Sequence, residues 1–333
     1  MEKRIKERYN EAVLNEVISR YGIASHQIRL LDGFESFMYE FQRGGTWYIL
    51  RIGHSLRRSP DMIWGEVDWI NFLAAGGAGV SRAINSADGN LVEVVDDGYG
   101  GAFLATAFEK AAGRPAWEVG WNTGLYENYG TLLGRMHALS KGYRPGVDSC
   151  TRPQWDDHIM LDIEDLLPPD QTLVLERFRT LMLHLQALPK DRESYGLIHF
   201  DAHAGNMFID EHGTITLFDF DDCNYSWYIN DIAIVLFYKA MAADHTPEHA
   251  QEFMTHFLTG YRQENSLDPR WLKEIPYFLK LREIDLYAII HRSFDVHNLD
   301  DPWVARYMEG RRQLIEDGVP YLDFDYESLA VYL

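Results

Sequence analysis

The hydrophobic period of this 333-residue chain changes once, and that change constrains the fold more than any other feature. Between Gln27 and Ile52 apolar residues fall in short strand-like runs broken by turn residues. From Asn122 onward helical spacing predominates, interrupted by one strand-like island at residues 195–222. A chain divided in this way is expected to fold as α+β, with a small antiparallel β-rich unit followed by a larger, mainly helical one.

Individual elements follow from local signals. The first segment, through Arg20 and Tyr21, reads as one amphipathic helix stopped by Gly22. Ile28–Leu31, Phe37–Phe41 and Trp47–Ile52 read as three strands, with Gly44-Gly45 closing the second hairpin. Ser59 is a helix cap and Pro60 a first helical residue, so a helix is expected to run to about Ala75 before Gly76-Gly77. Strands near Leu91–Val95 and Ala102–Phe108 complete a five-stranded first domain over residues 1–108. Lys110–Pro115, with Gly113 and Pro115, reads as a linker. The second domain, 109–333, is expected to carry helices at Leu125–Ser140, Trp155–Leu166 and Thr172–Leu188, and several after Tyr228.

Composition narrows the partners. Thirty-one basic residues against 51 acidic ones give a formal net charge of −20. Nucleic acid and anionic membrane both need basic patches, so neither is expected as a partner. Cys150 and Cys223 form no CxxC pair and no disulfide framework, which fits a reducing cytoplasm. No apolar run approaches the roughly 20 residues that cross a bilayer, and the charged N-terminus is unlike a signal peptide. A cytoplasmic protein is expected, of an oligomeric state the sequence does not fix.

The chemistry is concentrated at 197–222. Leu197-Ile198 leads into His199-Phe200-Asp201-Ala202-His203-Ala204-Gly205-Asn206, a histidine, an aspartate two later and an asparagine five after that. This is the spacing of a phosphotransfer catalytic loop. Asp201 is the candidate base, accepting the proton of an acceptor hydroxyl. Asn206 offers a carbonyl oxygen to Mg²⁺, a hard cation. Met207–Asp210 and Thr214–Phe218 then flank the turn Glu211-His212-Gly213, a hairpin that returns Asp219 towards the loop as a second metal ligand. The metal would offset the charge of the nucleotide. A rival reading uses His199, Asp201 and His203 as zinc ligands of a metallohydrolase, although no further ligand cluster follows.

These residues resemble the aminoglycoside phosphotransferase and choline kinase family, whose fold is protein-kinase-like and two-lobed. The family pattern H-G-D-x-H-x-x-N, then I-D-F, then D-[LI]-A, reads here as His199–Asn206, Phe218-Asp219-Phe220 and Asp231-Ile232-Ala233. Asp219-Phe220-Asp221-Asp222 and Arg152-Pro153-Gln154-Trp155 look closest to the homoserine-kinase-like and stress-kinase-like branches. The resemblance implies ATP as co-substrate and Mg²⁺ as cofactor. It implies that Leu31–Ser36, with Gly33 and Ser36, covers the phosphates, and that Arg51 replaces the usual lysine with Glu66 as its ion-pair partner. It also makes Thr106–Glu109, with Thr106 and Phe108, an adenine-binding hinge, while His199 and Asp231 support the loop. The implied activity is phosphate transfer to a small-molecule alcohol. A protein Ser/Thr kinase and a nucleotide-binding pseudokinase are the alternatives.

For the acceptor, an amine-bearing alcohol is expected, because carboxylates pair with ammonium groups and tryptophan faces attract quaternary amines. The expected liners include His203, Asp221, Asp222, Trp227, Trp155 and Asp285.

Overall fold

The computed structural model describes residues 2–31, 33, 35–241 and 246–333. By packing, the chain forms two compact units. One comprises Met1–Val119, Gly142–Arg152 and Ala204–Asp221; the other comprises Gly120–Lys141, Pro153–His203 and Asp222–Leu333.

The first unit is built on an antiparallel sheet. Its strands run in the order Ile28–Leu31, Phe37–Arg43, Thr46–His54, Ala102–Glu109 and Ala83–Ile84, and Glu93–Asp96 also pairs with Ala102–Glu109. Six strands form where five were expected, because the short Ala83–Ile84 segment adds to Ala107 and Phe108. Phe41, Leu50, Ile52, Phe103 and Ala105 close the core against Val17, Ile18 and Tyr21. The N-terminal helix is two helices, Lys3–Arg8 and Glu11–Arg20. Asn10 breaks it, since its side chain accepts from the backbone N–H groups of Ala12 and Val13, at 2.9 and 3.2 Å. Such a cap starts a new helix. Helix Pro60–Ala75 forms as expected, with Ser59 Oγ accepting from Met62 N–H at 3.2 Å.

The hairpin of strands Met207–Ile209 and Ile215–Leu217 packs with this unit, so the single cut expected at 108/109 does not describe the packing. Three strand-type contacts explain why. Arg114–Pro115 pairs with the hairpin's first strand, Leu217 N–H donates to Gly79 O at 2.8 Å, and Ser81 N–H donates to Leu217 O at 3.0 Å.

The second unit is mainly helical, with the antiparallel pair Tyr195–Ile198 and Asn224–Trp227 set among its helices. Helices Thr123–Ser140 and Pro247–Tyr261 meet at Gly130 and Gly260, where a Cβ would run into the facing backbone carbonyls. The helix expected over Trp155–Leu166 is reduced to Ile163–Leu166. Trp155 N–H donates to Tyr225 O and Tyr225 N–H to Pro153 O, both at 2.9 Å, which holds this backbone extended beside a strand. Among the described residues no helix is long and apolar enough to cross a membrane, and both cysteines are free and buried.

Candidate active site

Strand Tyr195–Ile198 delivers His199 to a sharp turn at Phe200, whose φ of 69° lies in the left-handed region. A side chain with a Cβ costs roughly 1–2 kcal/mol there, so the turn must be held. Asp231, on helix Tyr228–Met241, holds it: one carboxylate oxygen accepts from His199 N–H at 2.9 Å and the other from Phe200 N–H at 2.8 Å. His137 and Tyr261 back this carboxylate, with His137 Nε2 at 3.2 Å from Asp231 and His137 Nδ1 at 2.8 Å from the Tyr261 hydroxyl. His199 Nδ1 accepts from Asp201 N–H at 3.2 Å, and the Tyr129 hydroxyl donates to Ala202 O. His199 and Asp231 thus both bond to the backbone of the turn.

Asp201 is partly exposed, and both its oxygens are engaged. Oδ2 lies 3.2 Å from His203 Nε2. Oδ1 accepts from Arg282 Nη2 at 2.5 Å and from the Tyr238 hydroxyl at 3.3 Å. Arg282 Nη2 also donates to Tyr238 at 2.6 Å, and its Nη1 to Asp285 at 2.9 Å. Burial would raise the Asp201 carboxyl, but His203, Arg282 and His199 outweigh it and hold it below the usual carboxylate range. Arg282 and Tyr238 were not expected here. The sequence signal for Arg282 was only its place in a polar helix with Asp285 three residues on.

The first unit carries the residues expected to hold the metal and the nucleotide. Strand register sets Asn206 opposite Phe218, whose N–H donates to Asn206 O at 2.9 Å, so Asp219 follows at the neighbouring strand end. Asp219 has φ 64°, a conformation that aspartate adopts more readily than most residues. The donor types, an amide oxygen and a carboxylate without sulfur or imidazole, fit a hard divalent cation rather than zinc. Arg51 and Glu66 form a buried bidentate pair at 2.8 and 2.7 Å. Burial works against the Arg51 charge, but Glu66, Asp221 and Asp219 preserve it. Thr106 sits across the sheet from Arg51, and the Arg51 guanidinium lies 5.2 Å from the Phe108 ring centre. Gly33 packs where a Cβ would meet the Ser36 carbonyl, while Asp32 and Phe34 of the same loop lie outside the described residues.

Three expected acceptor liners are placed otherwise. Asp221 belongs to an arginine cluster in the first unit: Arg57 Nη2 lies at 2.7 Å, Arg58 Nε at 3.5 Å and Arg51 Nη1 at 3.9 Å from its carboxylate. Arg152 Nη2 donates to its backbone oxygen at 2.5 Å. Burial raises this carboxyl, and the arginines, Arg57 foremost, bring it below the usual range, so its charge is already matched. Trp155 and Trp227 are wholly buried against each other, with ring centres 5.4 Å apart, and Trp227 Nε1 donates to Pro189 O at 2.9 Å. Their faces are covered by protein, and the Lys190 ammonium already lies 5.6 Å from the Trp227 ring centre. Among the described residues the zinc grouping does not form either, since the only acid–histidine group close enough to share a cation is His158, Asp162 and Asp165.

Asp285 is buried, and burial pushes it up while Arg282 draws it down; Asp222 and Asp201 add to the rise and leave it at about 6. Asp222 and Asp201 therefore both act on Asp285 within the second unit, and Arg282 bonds to Asp201 and Asp285.

A sequence profile of the phosphotransferase enzyme family (APH) matches residues 26–274. The chain belongs to that family. Over 326 residues it is 40% identical to the amicoumacin kinase of Bacillus subtilis (strain 168), covering 97% of this chain and 96% of the relative. A solved amicoumacin kinase in complex with AMP-PNP, Ca²⁺ and Ami superposes with a TM-score of 0.93 at 40% identity, covering 99% of this chain and 100% of that one. A microcompartment-associated aminopropanol kinase superposes with a TM-score of 0.74 over 92% of this chain and 97% of that one; at 22% identity this likeness is one of fold. The fold is kinase-like, and this member of the phosphotransferase enzyme family is an ATP-dependent kinase of a small-molecule alcohol.

Proposed function

We propose that the chain transfers the γ-phosphate of Mg²⁺-ATP to a hydroxyl of an amine-bearing alcohol, with Asp201 as the base. The observation that carries this reading is the braced, ionised Asp201 carboxylate, fixed by Arg282, Tyr238 and His203 at the end of a turn that Asp231 holds. A carboxylate presents about four lone-pair directions, so the oxygen facing His203 can still accept from an acceptor hydroxyl. Asp201 orients that hydroxyl and takes its proton as phosphate transfer proceeds.

In the same reading Asn206 and Asp219 hold Mg²⁺, which when bound neutralises phosphate charge and orients the transferring group. Arg51 contacts the α/β-phosphates, and Glu66 keeps its fork aimed. Gly33 and Ser36 cover the phosphates, while Thr106 and Phe108 belong to the adenine side. Asp222, Asp285 and His203 face the acceptor. Two carboxylates beyond Asp201, set against the single guanidinium of Arg282, favour an ammonium group on that acceptor. Among the proteins alike in fold, the aminopropanol kinase is named for an amine-bearing alcohol.

An ADP-release assay across hydroxylated amines, amino acids and sugars tests the acceptor class, and amine-bearing alcohols are expected to give turnover. Asp201→Ala is expected to lose roughly 10²–10⁴-fold in kcat while retaining nucleotide-induced thermal stabilisation. An Asp201→Ala protein that turns over at the wild-type rate overturns the role given to Asp201.

A further inference from the structure

Arg282 reaches the catalytic loop from 81 residues away in sequence. It lies on helix Ile275–Ser293 and is buried, with the guanidinium carbon 5.9 Å from the Phe200 ring centre and 5.4 Å from that of Tyr238. Its two terminal nitrogens serve three partners: Nη2 donates to Asp201 at 2.5 Å and to Tyr238 at 2.6 Å, and Nη1 donates to Asp285 at 2.9 Å. Tyr238 in turn donates to the same Asp201 oxygen at 3.3 Å. A planar guanidinium with a fixed fork sets an angle as well as a charge, which an ammonium cannot do.

We infer that Arg282 is a positioning residue for the phosphotransfer reaction: it fixes Oδ1 of Asp201 and thereby sets the angle at which Oδ2, which also meets His203, accepts from the acceptor hydroxyl. The inference rests on Asp201 being the base. Three features separate it from an ordinary core ion pair. Burying an arginine is costly unless it is matched, and here the first partner is the residue of the H-x-D loop itself. The second partner, Tyr238, bonds to both Arg282 and Asp201, so the three groups form a closed triangle that resists rotation of the carboxylate. The third partner, Asp285, restrains the guanidinium from the other side, because Nη1 cannot leave it without unpairing a buried carboxyl. The Nε–H is buried without a hydrogen-bond partner among the described residues, so the fork, rather than the whole guanidinium, is what the site uses.

The test is chemical rescue. Arg282→Ala is expected to lower kcat by about 10²-fold, the scale of a misplaced reacting group, with the KM for Mg²⁺-ATP unchanged. Millimolar guanidinium is expected to restore at least a tenth of the lost turnover, and methylammonium at the same concentration to restore none. Lack of guanidinium rescue in a folded Arg282→Ala protein, or rescue by both cations alike, overturns the positioning role. Should the alanine variant fail to show nucleotide-induced thermal stabilisation, Arg282→Lys decides: kcat reduced about tenfold or more supports the inference, and wild-type kcat overturns it. Asp201→Asn is assayed alongside. If Asp201→Asn is active, the assignment of the base fails; if it is inactive while Arg282→Lys has wild-type kcat, only the role of Arg282 fails.

Discussion

Asp285 titrates within the range of an ordinary assay. Its carboxyl is neutral below about pH 6 and an anion above it, because burial and the neighbouring Asp222 and Asp201 outweigh Arg282. If it pairs with an ammonium of the acceptor, KM for a cationic acceptor falls as the pH rises from 5 to 7. Asp285→Asn is expected to flatten that dependence and leave the KM for Mg²⁺-ATP unchanged; a wild-type profile in the variant removes Asp285 from the acceptor site. Its effect on stability has the opposite sense. A raised carboxyl binds its proton more tightly in the folded state than in the unfolded one, so its contribution falls as the pH rises from the ordinary carboxylate range through about 6. Asp201 is the contrasting residue, held low and ionised by His203 and Arg282 despite its surroundings.

At the scale of elements, strand Thr46–His54 and helix Pro60–Ala75 are joined by Arg51 and Glu66. Both side chains are buried, so removing Arg51 leaves the Glu66 carboxyl without its partner. Arg51→Met is expected to destabilise the protein by about 3–5 kcal/mol, read as the urea midpoint. The double variant Arg51→Met/Glu66→Leu is expected to regain much of that loss but none of the Mg²⁺-ATP thermal shift. That outcome separates a structural pair from a phosphate ligand: a double variant that still binds nucleotide as wild type places Arg51 outside the phosphate site. The hairpin Met207–Leu217 shows a related dependence, since its register alone sets Asn206 beside Asp219.

Over the whole molecule, the net charge of −20 repels nucleotide and attracts cations at long range. Raising ionic strength from about 0.01 M to about 0.15 M shortens the screening length from ~30 to ~8 Å. We expect kcat/KM for a cationic acceptor to fall several-fold over this range, and that for an uncharged alcohol to change little. Equal responses from both acceptors count against electrostatic attraction of the substrate.

Read alone, the sequence determined what depends on neighbours along the chain. The change of hydrophobic period separated β-rich from helical parts, Ser59-Pro60 fixed a helix start, and the spacing of His199, Asp201, Asn206 and Asp219 identified phosphate-transfer chemistry. These are local signals, because caps, turns and short motifs act over a few residues. Asn10 is a cap of the same local kind, so the break it makes in the first helix was legible; the sequence could not read the backbone pairing that keeps Trp155 out of a helix. Nor could it foresee that Asp221 would be claimed by arginines, or that Trp155 and Trp227 would bury their faces in each other. Tertiary structure decided those points, along with the placing of Arg282 and Tyr238 on Asp201. The physical reason is the same in each case: whether a charge or a ring is available to a ligand depends on which distant side chains have already satisfied it, and the fold brings those together.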